Sequence, residues 1–127
     1  MAELTFTNLQ PVEGLFNTIL AHYPVITSSD THKPWAAGDY SDKSAHIFGG
    51  AGAGNIIVQG SNDPRVVSDP GSAVWVTCKD TADADMSYAA ATGGRGTIRD
   101  NFYFNRVSTS GAVTAGQAAF CGRRSHS

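Results

Sequence analysis

The stretch at residues 45–64, AHIFGGAGAGNIIVQGSNDP, decides the fold class. It joins a glycine-rich turn to a β-branched run at residues 56–58, which ends at a polar corner before Pro64. A Gly-x-Gly-x-Gly run binds phosphate when it leaves a strand and opens a helix, because the helix N-terminal amides then face the anion. Here the glycines precede a segment that is too short and too β-branched for a helix. We therefore interpret them as a turn that connects strands.

Short apolar runs separated by Gly, Pro, Asn, Asp and Ser recur along the rest of the 127-residue chain. This pattern is typical of an all-β sandwich or barrel, and the length suits one domain. The turn at residues 108–111 is expected to close a hairpin between the last two strands. The predicted strands cover residues 23–28, 45–48, 55–59, 73–79, 86–90, 97–100, 102–109 and 112–121.

Alternation within the predicted strands assigns side chains to faces. In residues 73–79, Val74, Val76 and Cys78 share the side that we assign to the core, and Trp75 lies on the other. Apolar residues such as Tyr103 also fall on the outer face, which indicates that a partner or the chain's own termini cover it. The predicted core comprises Ile56, Val58, Val74, Val76, Phe102 and Phe104.

Residues 1–22 are predicted to form an N-terminal arm, and residues 23–127 to form the sandwich domain. The arm is either extended or contains a short helix over residues 12–22, since its apolar residues recur at helical spacing as far as Tyr23. The start, Met-Ala-Glu-Leu-Thr, lacks the basic and apolar regions of a secretory signal, so we expect synthesis in a cytoplasm.

Charge and hydropathy exclude two classes of partner. Nine basic and eleven acidic side chains leave a net charge of −2, which gives no field that would hold nucleic acid. No apolar run approaches the roughly 20 residues that span a bilayer. We therefore expect neither nucleic acid nor a membrane as a partner.

Signs of catalysis or metal binding are weak. No Gly-x-Ser-x-Gly elbow is present, so we expect no enzyme and no cofactor. Cys78 and Cys121 lie on separate predicted strands without histidines at ligand spacing, and we expect reduced thiols, no metal and no disulfide. The acidic run Asp80, Asp83 and Asp85 offers oxygen ligands for calcium, but a solvated acidic turn explains it equally well.

A series of motifs runs in order along residues 23–124: Tyr-Pro-Val, DKSAHIFGG, IIVQGSNDP, SAVWVTCKD, IRDNFYFNRVSTSG and AAFCGRR. The series resembles small virion proteins of tailed bacteriophages, of the kind that decorate or cement the head. The resemblance implies a jelly-roll-like antiparallel β-sandwich on the outer head surface of the virion. It further implies the major capsid protein as a partner, self-association as a homo-oligomer on the shell, and no enzymatic activity.

The residues expected at the capsid or subunit interface are apolar residues of the arm, aromatic residues and two arginines near residue 124. Arginine suits bidentate contacts with carboxylates of a neighbouring subunit, and Arg95, Arg99 and Arg106 are interpreted as scattered surface residues or part of a basic face. The alternative function is a carbohydrate- or receptor-binding module of the phage tail, in which Trp35, Tyr40 and Trp75 are exposed and stack on a sugar. The interface set is Phe6, Leu9, Leu15, Phe16, Trp35, Tyr40, Trp75, Tyr103, Arg123 and Arg124.

Overall fold

The structure, a computed structural model, describes residues 3–4, 8–12 and 15–124, with side chains from residue 18 onward. Its strands are β1 (Glu3–Leu4), β2 (Asn8–Val12), β3 (Leu15–Tyr23), β4 (Thr31–His32), β5 (Trp35–Ala36), β6 (Asp42–Ala51), β7 (Asn55–Ser61), β8 (Val76–Thr77), β9 (Ser87–Ala89), β10 (Gly94–Thr97), β11 (Phe104–Ser110) and β12 (Ala115–Arg123). A one-turn helix, α1 (Arg65–Ser68), and a 3-10 turn (Pro70–Ser72) follow β7. No helix among the described residues is long and apolar enough to cross a bilayer.

Two antiparallel sheets make up the molecule. The first sheet has the strand order β10-β6-β12-β3-β2, and the second has the order β5-β11-β7-β8 with β9 also paired to β7. A short parallel pair, β1 with β4, accompanies them. The predicted all-β sandwich class is therefore confirmed.

The core lies between the two sheets and follows the alternation of their strands. On β6 the inward residues include Ala45 and Ile47, and on β7 they are Ile56 and Val58, all within 2% of complete burial. Ile56 and Val58 were correctly predicted. Phe102 packs against this core while only partly buried, and Phe104 is also partly buried.

The prediction that Val74 and Val76 face the core is wrong, because these side chains are 59% and 47% exposed. Only two residues of the predicted strand, Val76–Thr77, pair in the sheet. The backbone of Val74 is instead held by side chains, since its N–H donates to Asp63 Oδ2 at 2.9 Å and its carbonyl accepts from Ser61 Oγ at 2.6 Å. Val74 thus lies outside the ladder, where the alternation of a strand does not apply, whereas Val76 pairs with Gly60 and lies on the exposed side of the two-residue strand β8.

The turn before β12 does not close a hairpin, contrary to the prediction. β11 belongs to the second sheet and β12 to the first, so the chain crosses between sheets at Gly111, whose φ is +76°. The glycine-rich turn after β6 also crosses between sheets, with Gly52 at φ +123°. The two crossings lie side by side, since the Gly54 N–H donates to the Ala112 carbonyl at 2.8 Å.

Of the two forms predicted for the arm, the helix over residues 12–22 is wrong, because residues 15–23 form the extended strand β3. This strand pairs with β12, and its Ala21 and Tyr23 alternate into the core. Hydrogen bonding to a distant strand and burial of one face therefore override the helical spacing. The expected domain boundary between residues 22 and 23 falls inside β3. Of the strand predicted over residues 23–28, only Tyr23 is in a strand, because β3 ends there, before Pro24. The predicted strand over residues 97–100 is wrong, because the strand β10 covers Gly94–Thr97 and shares only residue 97 with it. The strands predicted over residues 45–48, 55–59, 86–90, 102–109 and 112–121 are present with shifted ends.

Candidate functional site

A small pocket on the second sheet brings Trp75 together with Arg106. We call it the Arg106 pocket; its volume is about 230 Å³. On β11, Asn105 and Val107 point inward, which directs Arg106 to the outer face. Its guanidinium carbon lies 4.1 Å from the centre of the Trp75 ring, and its Nε donates to Gln59 Oε1 at 2.8 Å. The lining residues are Thr31, His32, Pro34, Val66, Pro70, Gly71, Trp75 and Arg106.

The electrostatics of this pocket are those of a cation without a counter-ion. Arg106 is partly buried, and none of the ion pairs among the described residues includes it. Burial lowers its pKa. His32 is buried, its Nε2 has no hydrogen-bond partner among the described residues, and burial lowers its pKa, so the ring is neutral at pH 7.

An apolar groove of about 550 Å³ lies on the other side of α1 and is lined by Asn62, Pro64, Val67, Tyr103 and Phe104. We call it the Tyr103 groove. Val67 is 76% exposed and Tyr103 is 59% exposed, and the Tyr103 ring packs edge-on against Phe104. Helix α1 therefore contributes Val66 to the Arg106 pocket and Val67 to the Tyr103 groove.

The polar corner after β7 holds this surface in shape. The Asp63 carboxylate accepts hydrogen bonds from the Arg65 side chain and from the backbone N–H groups of Arg65 and Val74. These bonds hold the pKa of Asp63 well below its usual range. Asn62 Oδ1 accepts the Tyr103 N–H at 2.8 Å. The polar corner that ends the IIVQGSNDP motif is therefore a structural clamp at the edge of the groove.

Two predicted aromatic site residues are placed differently from the prediction. Trp35 was expected to be exposed, but it is 1% exposed and packs against Phe120, with ring centres 5.7 Å apart. Tyr40 is partly buried and packs against Trp35. Trp35 therefore belongs to the core and does not join Trp75 in a stacking surface.

The two arginines near residue 124 are exposed, and one has a partner within the chain. The Arg124 guanidinium lies 3.8 Å from Asp39 and over the Tyr40 ring at 5.4 Å. Arg123 lies at the end of β12. Among the predicted arm residues, Phe6 is outside the described residues, while Leu9, Leu15 and Phe16 lie on β2 and β3 with side chains outside the described part.

The acidic turn does not gather its carboxylates. Asp80 Oδ1 accepts the N–H groups of Ala82 and Ala84, Asp83 pairs with Arg99, and Asp85 pairs with Lys79 at 2.7 Å. Among the described residues, no three His, Cys, Asp or Glu side chains are grouped so that they could hold a metal ion. The calcium alternative thus has no ligand cluster in this region.

A buried polar cluster in the core was missed from the sequence. Lys43 is 1% exposed, and its Nζ donates to the carbonyls of Phe102 at 3.0 Å and Ala37 at 3.4 Å. Burial lowers the pKa of Lys43 to about 8 and raises the pKa of Cys78 to about 12. Asn105 Nδ2 lies 3.6 Å from Cys78 Sγ. The signal was the alternation of β6, which places residue 43 on the face of Ala45.

Both cysteines are free thiols, with Cys78 buried and Cys121 exposed.

Comparisons with protein-family models, with curated proteins and with solved structures find no match to this chain. The functional conclusion therefore depends on the motif order of the sequence and on the surfaces described above.

Proposed function

We propose that this chain is a non-enzymatic decoration protein of a tailed-phage capsid, bound to the major capsid protein on the outer head surface and associated with copies of itself. The order of motifs along residues 23–124 supports the proposal, as does the all-β sandwich. The jelly-roll connectivity that the resemblance implies stays a prediction.

The observation that carries the proposal is the Tyr103 groove. Soluble proteins rarely leave contiguous apolar surface uncovered unless it contacts a partner. Val67 and Tyr103 are large and exposed, and their backbone N–H groups donate to the Pro64 carbonyl and to Asn62 Oδ1, so both can be buried with little reorganisation of the backbone. Burial of each such side chain contributes about 1.5–3 kcal/mol. Repeated over many sites on a shell, such weak contacts sum to a stable coat.

Copy number in the virion tests the proposed location. Gel densitometry or a low-resolution reconstruction is expected to give hundreds of copies on the head. A handful of copies at the tail would contradict decoration and would favour the alternative below.

Variants test the proposed surface. Tyr103→Asp is expected to weaken binding to undecorated heads by at least about tenfold, the effect of losing one well-buried interface aromatic. Phe48→Asp is the matched control, because Phe48 is an exposed aromatic on the first sheet. Equal losses from the two substitutions, or no loss from Tyr103→Asp, would exclude the groove as the contact.

The second candidate is a carbohydrate- or receptor-binding module of the phage tail. Its specific support is the Arg106 pocket, which holds one of the three aromatic residues expected to stack on a sugar. Against it, Trp35 is buried and the guanidinium of Arg106 lies over one face of Trp75. Decoration is therefore the better supported proposal.

A further inference from the structure

We infer that the Arg106 pocket is a binding site for a carboxylate group of a protein partner, the side chain of an Asp or Glu. Three features of the pocket support this assignment: a guanidinium without a carboxylate partner, the Trp75 and Gln59 contacts that fix its plane, and apolar residues beside it.

Arg106 differs from the other arginines of the described chain. Arg65, Arg99 and Arg124 each lie within 4 Å of a carboxylate of the same chain. Arg95 and Arg123 have no such carboxylate but are exposed, so water solvates them. Arg106 is the partly buried arginine without a carboxylate. Partial burial of a charge is unfavourable unless an opposite charge accompanies it, and an incoming anion would remove that cost.

The guanidinium is held in a fixed plane by two contacts. Trp75 stacks on it at 4.1 Å, and Gln59 accepts the Nε hydrogen. The Nη1 and Nη2 groups have no hydrogen-bond partner among the described residues. Two parallel N–H groups on a rigid plane match the two oxygens of a carboxylate, and less entropy is lost on binding because the fork is already oriented.

The walls favour a protein side chain over a sugar acid. Pro34, Val66 and Pro70 would contact the methylene part of an acidic side chain, whereas a sugar ring would place hydroxyls against these three apolar residues. About 230 Å³ also admits a side chain more readily than a larger ligand, since small-molecule sites usually measure roughly 300–1,000 Å³. Paired Trp and Arg residues are typical of the central contacts of protein interfaces.

Such a site would exist whether or not the chain decorates a capsid, so the test uses the isolated protein and a small probe. The ¹⁵N-labelled protein is titrated with N-acetyl-glutamate methylamide at constant ionic strength. We expect saturable shifts of the Arg106 Nε–H and Trp75 indole N–H resonances at millimolar probe concentrations. N-acetyl-glutamine methylamide, which has the same shape without the charge, is expected to give no saturable shift.

Variants and a second ligand complete the test. Arg106→Gln is expected to abolish the saturable Trp75 shift, and Arg106→Lys to weaken binding several-fold, because lysine keeps the charge without the fork. Arg95→Gln removes the same charge from an exposed site on the first sheet and is expected to change nothing. Absence of a saturable shift, equal shifts with the neutral probe, or tighter binding of glucuronate in the same pocket would each overturn the assignment.

Discussion

The buried amino group of Lys43 makes the stability of the fold depend on pH in a defined window. The Lys43 side chain is 1% exposed, and burial lowers its pKa from 10.5 to about 8. Between these two values the unfolded chain holds a proton that the folded chain has released. Stability rises with pH wherever the unfolded state binds more protons, so the contribution of Lys43 grows more favourable from pH 8 to 10.5. Below pH 8 it is constant.

The size of this effect follows from the pKa difference. At about 1.36 kcal/mol for each pKa unit, the full gain is about 3 kcal/mol. Cys78 acts in the opposite direction above pH 9, because its raised pKa of about 12 keeps the thiol protonated in the folded state while the unfolded thiol ionises. The contribution of Lys43 to the free energy of unfolding is therefore taken as the difference in that free energy between the wild type and Lys43→Met.

Urea unfolding at half-unit steps from pH 7 to 10.5 measures the effect through the midpoint and slope of each transition. The free energy of unfolding of the wild type, relative to Lys43→Met, is expected to rise across the window by up to about 3 kcal/mol. Lys33→Met is the control, since Lys33 is exposed, and its pH profile should parallel that of the wild type. Parallel profiles for wild type and Lys43→Met would refute the reasoning, as would an NMR titration of the Lys43 side chain near 10.5.

Three further predictions concern the core, the crossing turn and the thiols. Val58→Asp should destabilise the fold by more than about 3 kcal/mol in urea unfolding, whereas Val76→Asp, at a 47% exposed position, should cost less than about 1 kcal/mol. Gly52→Ala should lower the melting temperature measurably, because φ is +123° and the added carbon would overlap the backbone carbonyl oxygen of Ala112; an unchanged melting curve would contradict this geometry. A thiol reagent should label Cys121 in the folded protein and Cys78 only after unfolding, with two thiols titrated in total.

Local pattern was sufficient for the fold class and for the strands that are regular. β7 was found because Ile56 and Val58 alternate within a ladder flanked by glycines, and the same rule applied to β6 would have identified Lys43 as buried. The rule failed at Val74, where side chains of the Asp63 corner replace the ladder.

The remaining errors come from contacts between residues far apart in the chain. The segment at residues 15–23 has helical spacing, and pairing with β2 on one side and with β12, about a hundred residues later, on the other makes it a strand. Trp35 lies in the short segment HKPWAAGDY, which has no strand-like alternation, and Phe120, far along the chain, supplies its core contact. The stacking of Arg106 on Trp75 joins a residue of β11 to one that precedes β8, about thirty residues earlier, and has no local signature.

The position of β12 has a consequence for how the protein is made. β12 lies between β6 and β3 at the centre of the first sheet, yet it is the last described strand to leave the ribosome. Until residue 123 has been synthesised, the edges of β3 and β6 that pair with β12 stay unpaired. Unpaired edges of incomplete sheets are prone to aggregate. A chain that ends before residue 115 would therefore lack the central strand of its first sheet and is expected not to fold.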